Sequence, residues 1–160
     1  MKKQLQHKWR VNPLSLITTE LDYDVVREPW NRYELDGGPI LKIKYILVGL
    51  SKRPLEGVPD NYAVKGQNVV NVSHVPIDKR GRPADRKYSP QEIQSAITND
   101  DVRYNTLNEE WNEYRAEDGA KIRIKISVIS VALTSLFTED GNPLYHVGSS
   151  VIVNVRPPKR

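Results

Sequence analysis

No cysteine occurs in the 160 residues, which excludes disulfides, thiolate metal ligands and a cysteine nucleophile and suits a reducing compartment. Histidine is almost as scarce. His7, His74 and His146 fall in none of the H-x-x-x-H or H-E-x-x-H spacings that bring two imidazoles to one metal. The chain also lacks a G-x-S-x-G elbow, a P-loop and a G-x-G-x-x-G turn, the usual hardware for acyl transfer, phosphoryl transfer and dinucleotide binding. The acidic turns "TEDGNP" and "TNDD" miss the alternating Asp spacing and distal Glu of a calcium loop. No apolar run approaches the roughly 20 residues of a membrane helix, and the basic opening is broken by Asn12, Pro13 and Ser15 before a signal-peptide core can form. These absences predict a non-enzymatic protein with no cofactor, no metal and no membrane contact, cytoplasmic or held within an intracellular particle.

What the chain does contain is a phrase written twice. "WNRYELDGGPILKIK" from Trp30 and "WNEYRAEDGAKIRIK" from Trp111 agree at six of fifteen positions, where unrelated segments share roughly one. Farther on, "YAVKGQNVVNV" from Tyr62 matches "YHVGSSVIVNV" from Tyr145, at a spacing two residues longer, which predicts a longer loop around "TEDGNPL". His146 in that segment reads as a strand surface. Two copies at this period indicate a tandem duplication rather than a solenoid, whose units are shorter and more numerous.

Each copy alternates apolar and charged residues, Leu41, Ile43, Tyr45 and Leu47 against Lys42 and Lys44, then Ile122, Ile124, Ile126 and Val128 against Arg123 and Lys125. That period of two marks a strand with one wet face. The continuation "SVISVALTSLF" is rich in β-branched residues and predicts burial on both faces. Between the copies, Ser89, Pro90 and Glu92 form a capping box that predicts a short helix with Ile93, Ala96 and Ile97 turned to the core. The fold expected is therefore mainly β, a tandem duplication of an antiparallel β module of about 80 residues, sandwich or barrel-like, with a short helix in the connection.

In the Trp-Asn-x-Tyr phrase, Trp30, Tyr33, Trp111 and Tyr114 are either stacking platforms or fold determinants. The size of an indole, which buries ~150 to 250 Å², favours each tryptophan as the core anchor of its module, with Asn31 or Asn112 closing the turn. On that reading Trp30→Ala or Trp111→Ala would cost about 3 to 5 kcal/mol.

The formal charge of +4 is unevenly divided. The modules, residues 17–76 and 93–155, hold twelve Lys or Arg and seventeen Asp or Glu, a balance of −5. The arm 1–16, the linker and helix start 77–92 and the tail 156–160 hold twelve against three, or +9. Cations gathered on arms and linkers grip acidic surfaces or phosphates. The candidate partner-binding residues are Lys2, Lys3, Lys8 and Arg10 in the arm, Lys79, Arg80, Arg82, Arg86 and Lys87 in the linker, and Lys159 and Arg160 in the tail. They point to a structural or assembly protein bound to a larger protein partner, itself or another. The alternative is a nucleic-acid-binding protein, ribosome- or chromosome-associated, that uses the same segments on phosphates.

Overall fold

Alternation of apolar and charged side chains produces the two central strands, and everything else is arranged around them. The computed structural model describes residues 18–53 and 61–159. Its strands are β1 (Thr19–Glu20), β2 (Tyr23–Arg27), β3 (Asn31–Leu35), β4 (Ile40–Arg53), β5 (Asn61–Ser73), β6 (Ile97–Asn99), β7 (Tyr104–Asn108), β8 (Asn112–Ala116), β9 (Lys121–Phe137) and β10 (Pro143–Arg156). A 3-10 turn, Ile77–Lys79, and one helix, α1 (Pro90–Ser95), lie between β5 and β6. No helix among the described residues is long and apolar enough to cross a membrane.

The strands form two five-stranded antiparallel sheets. In the first, β5, β4, β3 and β7 lie side by side and β1 pairs with the far end of β4; in the second, β10, β9, β8 and β2 do the same and β6 pairs with β9. The second strand of each half lies in the other sheet. β2 precedes β3 in the chain yet pairs with β8, and β7 precedes β8 yet pairs with β3. Each sheet is thus completed by a strand from the opposite half. The inward faces make a single core, with Tyr33, Leu41 and Ile43 from the first sheet meeting Tyr114, Ile122 and Ile124 from the second.

Contacts recur at a separation of 81 residues. In the β3–β4 turn, Leu35 N–H donates to Pro39 O at 2.8 Å, and in the β8–β9 turn Ala116 N–H donates to Ala120 O at 2.9 Å. Gly38 and Gly119 stand at equivalent points with φ of 108° and 92°, a region that L side chains avoid. The later strands follow at 83, since Leu41 pairs with Val72 and Ile122 with Val155. This is the spacing of the Tyr62 and Tyr145 segments. In the second half β9 runs to Phe137, which pairs with Pro143; the corresponding loop of the first half lies outside the described residues.

The capping box forms as expected, with Ser89 Oγ accepting from Glu92 N–H and the Glu92 carboxylate accepting from Ser89 N–H, both at 3.2 Å. Ile93, Ala96 and Ile97 are only half-buried, because the helix lies over the end of β9 rather than on the main core. Burial on both faces of β9 is confined to Val131 and Ala132. Ile129 is 63% exposed because it is the extra residue of a β-bulge, as is Val48 on β4, 48% exposed.

Both central strands have a gap along one edge. β8 pairs with β9 only through Ile124 and β6 resumes at Leu133, while β3 reaches only Ile43 of β4 and β1 resumes at Ser51. Side chains from the opposite sheet fill these gaps. Asn31 Nδ2 donates to Ile126 O at 2.7 Å and Tyr104 Oη to Val128 O at 3.0 Å; reciprocally, Asn112 Nδ2 donates to Tyr45 O at 2.8 Å and Tyr23 Oη to Leu47 O at 2.6 Å. Replacing Asn112 by Ala strands a buried carbonyl and should remove about 2 kcal/mol. Urea unfolding is expected to show one cooperative transition displaced to lower denaturant; a split transition would contradict the interlock.

Candidate functional site

The expected partner-binding residues are not gathered at one place. Lys2, Lys3, Lys8, Arg10 and Arg160 lie outside the described residues, as does His7. The linker is fastened to the β9–β10 hairpin by Gly81 N–H to Gly141 O and Ala84 N–H to Thr138 O, both 2.9 Å. Gly81 lies against the Phe137 ring, leaving no room for a side chain. Along this ledge Arg80, Arg82 and Lys87 are exposed, whereas Lys79 is half-buried with its ammonium against Gly37. Arg86 has a structural engagement. Its guanidinium grips Glu92 in a two-pronged contact at 3.0 and 2.6 Å and lies 4.7 Å from the centre of the Tyr88 ring. The hydrogen bond from Arg86, with help from Ser89, holds the Glu92 carboxyl at about 2. Lys159 follows the end of β10 that pairs with Lys121, at the opposite end of β9 from the linker, roughly 50 Å of strand away.

The tryptophans are the main correction. Trp30 and Trp111 are half-buried, and the fully buried aromatics are Tyr33 and Tyr114, each 0% exposed. Each indole lies on the outer face of its sheet among cations, Trp30 with Lys42 and Lys44 at 4.8 and 5.6 Å from the ring centre, Trp111 with Arg123 and Lys125 at 4.5 and 5.8 Å. Asn31 and Asn112 bind across the sandwich instead of closing turns.

Two residues before each indole, a carboxylate receives a buried phenol from the opposite half. Tyr33 Oη donates to Glu109 at 2.6 Å, and Tyr114 Oη to Glu28 at 2.7 Å. Burial, then the neighbouring carboxylate, pushes both phenols well above their ordinary range. Lys125 approaches Glu109 at 3.3 Å and Lys44 approaches Glu28 at 3.7 Å. Burial by itself would raise Glu109, but bonds from Tyr33, Ser127 and Lys125 together hold it below the usual carboxylate range. These pairs join the sheets; their proton-bearing groups are saturated by one another.

The two outer faces differ in charge at matched positions: Arg32 stands opposite Lys42 where Glu113 faces Arg123, and Glu34 stands opposite Ile40 where Arg115 faces Lys121. On the second, Glu113 stands directly opposite Arg123 and lies 3.7 Å from it and 3.9 Å from Lys121. On the first, 81 residues earlier, Arg32 stands directly opposite Lys42. Among the described residues no carboxylate lies within ion-pair distance of Arg32 or Lys42, although Glu34 follows on the same face of β3. Sequence reasoning missed this surface, although the aligned repeats already set Arg32 over Glu113.

His146 is exposed on β10, as a strand-surface residue should be, and His74 shares a 2.9 Å contact with the Ser73 hydroxyl. Among the described residues no group of three or more His, Asp or Glu is positioned to hold a metal ion. Comparison with protein-family models, curated proteins and solved structures gives no match to this chain.

Two outcomes follow for stability. Trp30→Ala or Trp111→Ala should cost about 1 to 2 kcal/mol, the loss of a half-covered ring and its cation contacts rather than of a core anchor. Tyr114→Ala should cost more than either, in the range of about 3 to 5 kcal/mol, by urea denaturation. The Glu109 contribution has a definite pH window. Its folded carboxyl is depressed, so the stabilisation is complete above the unfolded value of ~4.3 and disappears as the pH falls through the lower folded value. Glu109→Gln should therefore destabilise at pH ~7 and much less at pH ~2; an equal loss at both would refute the ionised contact.

Proposed function

We propose that this protein is a non-enzymatic component of a larger intracellular assembly, built by tandem duplication of a module of roughly 80 residues, and that it grips an acidic partner through its basic segments. The duplication is supported by the recurrence of turns, crosslinks and strand pairings at separations of 81 and 83. Two like halves in one chain supply the contacts of a symmetric dimer without any concentration requirement.

The observation that carries the assembly reading is the linker ledge. Two backbone hydrogen bonds pin the linker to the β9–β10 hairpin, and Arg80, Arg82 and Lys87 project from it. A cation on a fixed backbone loses less freedom on binding than one on an untethered arm. Residues 17–76 and 93–155 are acidic overall, so a second copy of this chain is one source of the opposing charge.

A second reading, nucleic-acid binding, is favoured by the cationic outer face at Arg32, Lys42 and Trp30. There the charges lie beside an indole ring.

The assembly reading is tested by native mass measurement of the tagged full chain isolated from the cells that make it. The unmodified chain is expected at a mass well above its own 18.3 kDa. A triple Arg80→Glu, Arg82→Glu, Lys87→Glu variant is expected at the lower mass, with its melting temperature within about 2 °C, because exposed charges contribute little to stability. A variant that remains in the large complex would remove the linker from the interface.

A further inference from the structure

We infer that the free edge of β10 is a strand-addition site for a second copy of this chain, the two β10 strands pairing antiparallel about a two-fold axis at Ile152. Among the described residues β10 pairs only with β9, so the outer backbone groups of a 14-residue strand have no ladder partner. Free edges of that length are ordinarily blunted by a charge, a proline or a bulge. From Ser149 to Val155 β10 has none of these. Three consecutive apolar residues of that run are uncovered, Val151 at 38%, Ile152 at 52% and Val153 at 41%. Val151 and Val153 pair with Ile126 and Ile124 of the core, so they extend its inner face to an open margin, and Ile152 lies on the outer face.

The edge itself sets what it accepts. Its backbone groups require an extended chain, and Val151, Ile152 and Val153 require an uncharged one. β10 meets both conditions. In an antiparallel pair, residues directly opposite one another use their backbones in the same way, so a two-fold axis must fall on a residue rather than between two. An axis at Ile152 sets Val151 opposite Val153 of the second copy, Ser150 opposite Asn154 and Ser149 opposite Val155. Inner face then meets inner face, and the first charge, Arg156, falls beyond the run, opposite Gly148 at the bulge. The neighbouring cations on β9, Lys125 and Arg123, lie 3.3 and 3.7 Å from Glu109 and Glu113, so the ground beside the junction is already neutralised. The matched edge of β5 does not repeat this order. Its equivalent axis, at Val69, would place Asn68, which donates to Ser149 Oγ at 3.3 Å, opposite the apolar Val70. Pairing β10 with β10 also closes at two copies, whereas β10 on β5 would propagate.

The lack of cysteine makes the register directly readable in the full chain. Opposed residues of an antiparallel pair lie within disulfide reach, whereas a residue two positions from the axis meets its own copy roughly 13 Å along the strand. Ile152→Cys should therefore oxidise to a covalent dimer, and Asn154→Cys should not. In sedimentation velocity the unmodified chain should move from 18.3 kDa towards twice that mass as its concentration rises through about 10 to 100 μM, and equally at about 0.15 and 0.5 M salt. Ile152→Lys, which sets like charges opposite each other at an exposed position, should keep the lower mass at about tenfold higher concentration, with its melting temperature within about 2 °C. Val69→Lys on β5 and the linker triple variant should associate as the unmodified chain does. A chain that stays monomeric throughout, or grows past two copies, overturns the proposal. So does association that survives Ile152→Lys, or equal crosslinking of both cysteine variants. Association that vanishes at the higher salt or in the linker variant would also overturn it, and would assign self-contact to the linker cations, leaving the assembly reading in place.

Discussion

The structure depends on how the interrupted edges of β4 and β9 are satisfied. A buried strand cannot leave backbone groups unpaired without losing free energy comparable to a hydrogen bond for each. On β4 the edge between Ile43 and Ser51 has no strand neighbour, and on β9 the edge between Ile124 and Leu133 has none. Asparagine and tyrosine side chains take over the role of the absent strand, and each set comes from the other sheet. The gap in one sheet therefore positions the other. The edge-to-face pairs Tyr23 with Tyr114 and Tyr33 with Tyr104, at 5.8 and 5.7 Å, pack the same junctions.

The exchange of β2 and β7 follows from the same constraint. Each donates the tyrosine that caps a carbonyl in its own half, Tyr23 to Leu47 and Tyr104 to Val128, while its backbone pairs in the other half. Leu21 N–H to Leu50 O and Val102 N–H to Val131 O, both 2.9 Å, hold the chain just before each crossing. Neither half can close its own gap and keep its own sheet complete. A linker that permits the halves to meet within one chain is thus part of the fold's energetics, whatever else its cations contact.

Much of this was legible locally, and little of it globally. The capping box at Ser89, the glycine turns at Gly38 and Gly119 and the paired long strands are all encoded within windows of ten to fifteen residues, where side-chain period and turn chemistry act directly. Strand exchange is invisible to such windows, because alternation says which side chains face inward but not which sheet lies across from them. The tryptophans were misread for a different reason. Alternation puts Asn31, Tyr33 and Leu35 on one face of β3 and Trp30, Arg32 and Glu34 on the other, so the indole belongs with the charges. The expected weight of a large ring in a small core overrode a period that was already in the sequence. Asn31 and Asn112, 1% and 3% exposed, read in sequence as turn residues, but the gap they fill exists only in three dimensions.

The distribution of likeness between the halves also separates what the fold needs from what a partner could use. Inside, the matched positions repeat closely: Asn31 with Asn112, Tyr33 with Tyr114, Glu28 with Glu109, Tyr23 with Tyr104. One exception is Pro29, which has no N–H to give Asn112 where Glu110 N–H serves Asn31 at 2.9 Å; Tyr114 Oη lies 3.0 Å from Asn112 Nδ2. Outside, a matched position can reverse its charge, Arg32 against Glu113, because a solvated side chain is not required by its neighbours. Two surfaces carried on nearly the same interior can therefore differ in what they attract: the first sets Arg32 opposite Lys42 where the second has Glu113 and Arg123, and the second sets Arg115 opposite Lys121 where the first has Glu34 and Ile40.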